Sequence, residues 1–424
     1  MNDWLIMVFL GGGKDLTPFA QNLLEEAMRV ESSDRVAVIA ELHPALATEE
    51  TLRGRIFKGK NEMRKIGVRK DDVAAIIDFV DDSMEMYKAR HRVLVLWDHG
   101  NGWQNVDVFE EVVDATDIRR QQQHGTTGPS MNLAVKDLRD VLDETRDIAV
   151  VAFDACLMSM IEVAFQLRDR AQFMVASQHL LPAERGWPYE ALLRTLTANP
   201  RMEPEELTRS TIDTFAGSYN GEPDAVTLTG LRLSAEVDRA VAAIDSLSAA
   251  LLAAIHTSDH ADGTVRDEII DARQHAQSFG NPEYIDIVSF CDEIRKRLPD
   301  QPWLNRTAEL VRVPIARLRV RHTRSNSAIV SRANGVSIYF PNVIPEATIA
   351  ASYGDLDFAN PLYCRWIGFL KVIVEGQNVH DVEKWMAATQ KTPIPNCDCA
   401  SVHSPSDPPP PPPNAPSPSP LLIH

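Results

Sequence analysis

The N-terminal half of the chain alternates short apolar runs with longer amphipathic stretches. Short apolar runs are typical of buried strands, and the amphipathic stretches have the periodicity of helices that cover a sheet. This alternation predicts repeated βα units, and therefore an α/β fold with a mostly parallel sheet flanked by helices. The predicted strands are residues 4–9, 36–39, 93–97, 148–153 and 173–177. The predicted helices are residues 19–29, 70–87, 133–145, 159–168, 189–197 and 205–215.

The C-terminal half is dominated by helical patterns. Residues 235–255 are rich in Ala and Leu, which favours a helix. We expect Pro314 to end a later helix, because proline lacks the backbone N–H and clashes with the preceding turn. The other predicted elements are strand-like runs at 224–229, near Ile329 and at 336–340, and helices at 283–297 and 304–313.

We expect three regions along the chain. Residues 1–230 form the α/β core, and residues 231–390 form a helix-rich extension whose late strand (about 329–341) completes the fold. Residues 391–424 form a tail that contains six consecutive prolines, and we expect it to be extended polyproline with no core to join. Two interpretations of the tail stay open, namely a docking segment for a partner and a solvated end.

Composition narrows the class of protein. With 424 residues and 44% hydrophobic content, the chain can bury a large core. A net charge of −17 argues against nucleic acid as a partner, because nucleic-acid binders need a basic patch. The same charge suits basic substrates, although acidic surfaces also serve solubility. The five cysteines are scattered and odd in number, so we expect neither a disulfide framework nor a structural metal.

The first apolar run, residues 4–10, raises the question of a membrane or export signal. It is too short to span a bilayer, and it lacks the basic segment and small-residue cleavage site of a signal peptide. We interpret it as a buried first strand. The sequence therefore leads us to expect no membrane association and a cytoplasmic location.

A reactive side chain follows each of two predicted strands. His99 follows the strand at 93–97, and Cys156 follows the strand at 148–153. Ligands of open α/β sheets bind beyond the carboxyl ends of the strands, so the two side chains can meet over one substrate. A cysteine nucleophile needs such a partner, because a nearby imidazolium lowers the thiol pKa. Singly, each residue has an ordinary alternative: a core-filling cysteine, or a histidine bonded to a backbone carbonyl.

The residues around these two side chains resemble a known family. The runs at 94–103 (LVLWDHGNGW) and 153–158 (FDACLM) are similar to the histidine and cysteine motifs of the clostripain family of cysteine peptidases. Residues 4–9, 186–189 and 334–341 resemble further elements of that family, in the same order. The resemblance implies a caspase-like fold, with a mostly parallel sheet, flanking helices and a helical C-terminal extension. It also implies an endopeptidase that cleaves after Arg or Lys.

The resemblance assigns roles to the residues of the two motifs. Cys156 is the expected nucleophile, and His99 the general acid that protonates the leaving amine. Gly100 is expected to let the substrate approach, and its N–H is expected to help the N–H of Cys156 hold the oxyanion. A turn glycine with positive φ is the alternative for Gly100. Asp98 is interpreted as structural, since caspase-like histidines are generally oriented by backbone groups.

An acidic residue precedes the nucleophile. By strand alternation Asp154 lies on the same side as Cys156, and the resemblance makes it the acidic floor of the pocket for the substrate's Arg or Lys. The alternative is a cap for the following helix. Glu184 is a candidate for a second carboxylate. Acidic residues commonly follow the serine of the 177–179 segment in the family, but this chain has Gln178 and His179. The choice between Arg and Lys therefore stays open.

The polar stretch at 118–129 is predicted to be an exposed loop. This loop contains Arg119 and Arg120, so an enzyme that cleaves after basic residues is expected to process itself within 119–129. The alternative is an ordinary charged loop.

No metal site is predicted. Calcium supports some relatives and stays open here, although the sequence has no EF-hand loop. Two other functions also stay open: a catalytically silent binding relative with the proline tail as its interaction element, and an amidase that uses the same pair.

Overall fold

The computed structural model describes residues 1–11, 16–30, 33–43, 50–57, 59–67, 72–104, 134–145, 147–259, 264–343 and 348–389. Its strands are β1 Asn2–Leu10, β2 Val36–Leu42, β3 Leu52–Phe57, β4 Lys60–Asn61, β5 Arg64–Lys65, β6 Ala89–Trp97, β7 Ile148–Asp154, β8 Ala171–Ala176, β9 Thr227–Arg232, β10 Tyr284–Asp286, β11 Arg319–Arg324 and β12 Ser337–Tyr339. Its helices are α1 Thr17–Met28, α2 Asp72–Met86, α3 Val135–Thr145, α4 Ile161–Gln166, α5 Tyr189–Ala198, α6 Pro204–Ser218, α7 Ala235–Asp259, α8 Thr264–His275, α9 Ile287–Arg297, α10 Pro302–Leu318, α11 Trp366–Ile373 and α12 Val379–Thr389.

One large sheet organises the described residues. Its strand order is β11-β9-β8-β7-β6-β1-β2-β3-β4, with β5 paired to β3. The five central strands, β8, β7, β6, β1 and β2, are parallel to one another. The flanking strands β3, β9 and β11 pair antiparallel. The predicted α/β class with a mostly parallel sheet is therefore confirmed.

Each face of the sheet is covered by helices. Along β7, Val150 and Ala152 pack on one face, where α1, α5 and α6 contribute apolar side chains. Val151 and Phe153 pack on the opposite face, together with α2, α3, α4 and α7. Every residue of β7 is buried, as expected for a central strand with helices on both sides. The strands that lead to His99 and Cys156 are consequently packed between two layers of helices.

The C-terminal helices and strands return to the same core. Strand β11 joins the large sheet beside β9, and helix α7 packs on α10 and α11. Strands β10 and β12 form a separate two-stranded sheet, and Ser337 of β12 bridges Met160 in the segment after β7. Among the described helices, Ala235–Ser258 is long and apolar enough to cross a membrane, judged by length and composition alone. Of its apolar stretch, 56% is buried inside the protein.

The sequence-based prediction is wrong at several points. The predicted helix at 283–297 begins only at Ile287, because Tyr284–Asp286 form β10. Pro314 lies inside α10 rather than at its end. The carbonyl that loses its N–H partner belongs to Leu310, which is exposed, so water can replace the missing donor. The strand-like run near Ile329 is instead a short 3-10 helix, Ala328–Val330, which begins where Ser327 accepts a hydrogen bond from the N–H of Ile329. The late strand itself is β12, and it pairs with β10.

Candidate active site

Strand register brings the two reactive side chains to the same edge of the sheet. Strands β6 and β7 are parallel neighbours, and Trp97 is aligned with Asp154. His99 and Cys156 each come two residues after that aligned pair. Because neighbouring strands lie about 4.8 Å apart, both residues extend from adjacent strand ends. His99 and Cys156 are partly exposed at this edge.

Gly100 brings the backbones of the two loops into contact. A Cβ atom added to Gly100 would lie 2.2 Å from the carbonyl oxygen of Cys156 and 2.8 Å from its nitrogen. Gly100 is not among the glycines with positive φ, so close approach rather than turn geometry requires glycine here. Within the described parts of the chain, the backbone N–H groups of Gly100 and Cys156 donate to no protein acceptor. Both N–H groups are therefore available to a ligand.

The thiol of Cys156 lies in a desolvated environment. Burial, with a smaller contribution from the nearby charge of Asp154, raises its pKa to about 11. The backbone N–H of Leu181 donates to Sγ at 3.2 Å and has the opposite effect, because it stabilises the thiolate. In this arrangement the sulfur carries its proton at neutral pH. A base must remove that proton before the sulfur can attack.

Asp98 contacts the backbone of its neighbour. Its Oδ1 accepts a 2.6 Å hydrogen bond from the backbone N–H of His99, and the Asp98 residue is buried. A carboxylate in this position shapes the turn at the end of β6.

Asp154 is a buried carboxyl group beside the nucleophile. It is 5% exposed, and its Oδ2 accepts a 3.0 Å hydrogen bond from the hydroxyl of Tyr189. Desolvation raises its pKa to about 7, while the bonds from Tyr189 and the backbone of Trp187 act against that rise. The capping alternative is excluded, because α4 begins at Ile161 with Met160 as its N-cap. The sequence analysis did not identify Tyr189 as a hydrogen-bond partner of Asp154, although residues 186–189 were part of the resemblance to the clostripain family.

Glu184 lies in the loop that connects these features. The loop begins at Leu181, which contacts Cys156, and reaches Gly186, whose added Cβ would lie 3.9 Å from Oδ2 of Asp154. Glu184 itself is exposed in the turn between them. The N–H of Gly186 donates to the carbonyl of Pro182 at 2.7 Å and closes this turn.

Gln178 lies in the segment after β8, and the sequence analysis did not identify its structural role. Its amide nitrogen donates to Asp286 and to Ser337, each at 3.1 Å, and its amide oxygen accepts from the N–H of Gly335 at 2.6 Å. The side chain thereby ties β10 and β12 to the end of β8. Nothing in the local pattern signals this, because all three partners lie more than a hundred residues away.

His179 is buried against Phe279, with ring centroids 6.1 Å apart. Desolvation lowers its pKa to about 4, so the ring stays neutral at physiological pH. Its backbone carbonyl accepts a hydrogen bond from the N–H of Leu157, next to Cys156. His179 therefore supports the cysteine loop through its backbone.

Several predicted features fall outside the described residues. Arg119 and Arg120, with the whole 119–129 loop, lie there, as do residues 391–424 of the tail. Self-processing in the loop and docking of a partner by the tail stay predictions. Across the described ranges, no group of three or more His, Cys, Asp or Glu side chains is arranged to hold a metal ion, so no calcium ligands can be named.

Comparison with known proteins identifies the family. The family model for clostripain-family peptidases, also called C11, matches residues 8–313, which is most of the chain. The chain belongs to the clostripain family. It is therefore a cysteine peptidase, and hence a hydrolase, as the two motifs predicted. No curated protein matches this peptidase by sequence.

Solved C11 structures share its fold. An inactive zymogen of a C11 protease from Parabacteroides distasonis is 17% identical, with a TM-score of 0.56, and the match covers 84% of this chain and 97% of that one. A secreted C11 cysteine protease from Bacteroides thetaiotaomicron, bound to an irreversible peptide inhibitor, is 17% identical, with a TM-score of 0.57 and coverages of 91% and 100%. These likenesses support the caspase-like fold.

The comparison corrects the expected location. The sequence led us to expect a cytoplasmic protein because no export signal was recognised. The structural relatives from Bacteroides thetaiotaomicron are secreted proteases, which contradicts that expectation. The reason for the error is that the expectation rested only on an absence.

We expect Gly100→Ala to reduce kcat/KM for peptide hydrolysis by about 10²-fold or more, because the added methyl group would overlap the backbone of Cys156. The measurement is steady-state hydrolysis of a peptide substrate, with thermal unfolding as a check of the fold. Gly217→Ala in α6 is the matched control, since a Cβ there meets nothing within 4 Å. Wild-type activity in Gly100→Ala would show that the two loops do not need this close contact.

Proposed function

We propose that this clostripain-family peptidase cleaves peptide bonds after Arg or Lys through a dyad of Cys156 and His99. The observation that carries the proposal is the close contact of Gly100 with the backbone of Cys156. That contact, together with the register of β6 and β7, keeps the histidine and cysteine loops side by side. Within the described residues, the N–H groups of Gly100 and Cys156 have no protein acceptor.

Hydrolysis would proceed in two steps. The proton of the Cys156 thiol passes to His99 as Sγ attacks the substrate carbonyl carbon. The carbonyl oxygen becomes an oxyanion, which accepts hydrogen bonds from the N–H groups of Gly100 and Cys156. His99 then protonates the leaving amine, the C–N bond breaks, and a thioester remains on Cys156. In the second step His99 takes a proton from water as the water oxygen attacks the thioester carbon. The C–S bond then breaks, the acid product leaves, and His99 returns the proton to Sγ of Cys156.

A buried carboxyl group supports the preference for basic residues. Asp154 is almost fully buried, and no cation neutralises it in the residues described. Its pKa of about 7 shows that its negative charge is poorly stabilised. A guanidinium or ammonium group from the substrate would supply the missing countercharge, and it would draw the pKa of Asp154 down on binding. The exposed Glu184, in the loop between Leu181 and Gly186, would add a weaker attraction.

A panel of fluorogenic peptides tests the function directly. The peptides end in Arg, Lys, Asp, Asn or Leu before the reporter group, and each is assayed with added calcium and with a chelator. We expect cleavage of the Arg and Lys peptides and little cleavage of the others. Equal cleavage of all five would contradict the basic specificity. No cleavage of any peptide, with the fold intact, would favour a silent binding relative.

We further propose that the peptidase cuts itself within residues 119–129. The support is the pair Arg119 and Arg120 in a polar segment of its own sequence. The structural relative from Parabacteroides distasonis is an inactive zymogen of a C11 protease. We expect purified wild type to separate into two fragments on a denaturing gel, whereas Cys156→Ala and the double variant Arg119→Gln/Arg120→Gln stay intact. A fully active wild type that runs as one intact band would contradict this proposal.

A further inference from the structure

The loop that carries His99 is held by a residue from the C-terminal part of the chain. Tyr284 in β10 is fully buried, and its hydroxyl donates a 2.6 Å hydrogen bond to the backbone carbonyl of Asn101. The side-chain oxygen of Gln104 lies 3.2 Å from the same hydroxyl. Since Asn101 comes two residues after His99, this bond reaches the backbone of the loop that the proposed general acid belongs to.

The ring of Tyr284 also packs on this loop. Gly102 has a φ of +62°, and a Cβ added there would lie 2.8 Å from Cε2 of Tyr284 and 2.3 Å from Sδ of Met160. Met160 comes four residues after Cys156. The turn after His99 is therefore enclosed by Tyr284 on one side and by the cysteine segment on the other.

An aromatic cluster fixes the far end of the same loop. Trp103 is 3% exposed and packs edge-on against Tyr339 and Tyr353, with ring centroids 5.0 and 4.9 Å away. Tyr339 is the β-ladder partner of Tyr284. The Asn101 carbonyl also accepts a 3.2 Å hydrogen bond from the backbone N–H of Gln104, which closes the turn from within the loop. Among the described residues, the hydroxyl of Tyr284 is the donor to this carbonyl that comes from outside the loop.

We propose that Tyr284 is a positioning residue for catalysis: its hydrogen bond to Asn101 holds the His99 loop at the distance from Cys156 that proton transfer needs. The inference rests on the function proposed above. General acid catalysis requires hydrogen-bond reach between the imidazole and the reacting group, and displacements of about 1 Å can cost on the order of 10²-fold in rate. Burial raises the pKa of Tyr284 well above its usual value, so the hydroxyl remains a donor at all working pH values.

Tyr284→Phe isolates the hydroxyl, because it keeps the ring that packs on Gly102. We expect kcat to fall about 10- to 100-fold while KM stays within about twofold. We also expect half-maximal alkylation of Cys156 by iodoacetamide to require a higher pH than in wild type. This pH should approach the one needed in His99→Ala. The reason is that a displaced imidazole can no longer take up the thiol proton and so stabilise the thiolate.

Tyr353→Phe is the matched control. It removes another fully buried hydroxyl from the same aromatic cluster, one that donates to Glu162 rather than to the His99 loop. Tyr353→Phe should keep the wild-type kcat and the wild-type pH profile of alkylation. The Cys156→Ala variant measures how much iodoacetamide reacts with the other cysteines. A wild-type kcat and profile in Tyr284→Phe would overturn the inference. The inference would also be overturned if both tyrosine variants lost kcat equally and in proportion to their loss of thermal stability. That result would indicate a structural role alone. Unchanged hydrolysis in His99→Ala would instead contradict the dyad itself.

Discussion

Cys156→Ala is expected to lower peptide hydrolysis by at least about 10⁴-fold while the protein remains folded. Alanine has no atom that can attack the carbonyl or form the thioester, and losing the nucleophile removes most of the benefit of the other catalytic groups. His99→Ala should show a loss of similar size, because the high-pKa thiol would then lack its base. The measurement is hydrolysis of the Arg peptide, with active-site titration by a peptide inhibitor that alkylates the thiol.

Cys291→Ala provides the control for this loss. Cys291 is a fully buried thiol in α9, and desolvation raises its pKa well above the usual value. It has no route to a substrate, so its removal should leave hydrolysis and titration unchanged. Activity that survives in Cys156→Ala would mean that another residue is the nucleophile. Equal losses in both cysteine variants would point to misfolding rather than to chemistry.

Asp154→Asn is expected to reduce kcat/KM for the Arg and Lys peptides by roughly 30- to 4,000-fold, with little change for the Leu peptide. The size of the loss follows from the cost of leaving the buried substrate cation without its partner, about 2–5 kcal/mol, converted to a ratio of rate constants. Asparagine keeps the shape and an oxygen that accepts from the Tyr189 hydroxyl, so the pocket should remain formed. Glu184→Gln removes an exposed carboxylate from the same region and should have a small effect.

The pH dependence gives an independent readout of Asp154. The carboxyl group is charged only above its pKa of about 7, so kcat/KM for the Arg peptide should rise with pH through that value. Asp154→Asn should lose this rise. Since the folded-state pKa lies above the unfolded value, the proton stabilises the fold. Stability from this group is therefore full below about pH 4 and declines as pH rises through about 7. The variant should lack that decline in thermal melts, and an unchanged pH profile in Asp154→Asn would assign the charge elsewhere.

The elements that could be predicted from sequence are those whose signal is local. Strand β7 is apolar at all positions before Asp154, and β6 has the same character toward its end. Such runs must be buried on both faces, which leaves a parallel sheet as the consistent arrangement. Local signals were weaker in the C-terminal part. Pro314 is tolerated inside α10 because Leu310, whose carbonyl loses its N–H partner, is exposed, and that exposure is a property of the packed molecule.

By itself, the sequence determined the α/β class, the neighbouring strand ends that carry His99 and Cys156, and the family. Only the tertiary structure decided which groups surround them. Asp154 is paired with Tyr189, 35 residues later, and Tyr284 reaches Asn101 across 183 residues. These contacts depend on how helices and strands pack, whereas hydrophobic periodicity reports only the burial of each segment. The desolvation that raises the pKa values of Cys156 and Asp154 has the same origin, because the atoms that exclude water come from distant parts of the chain.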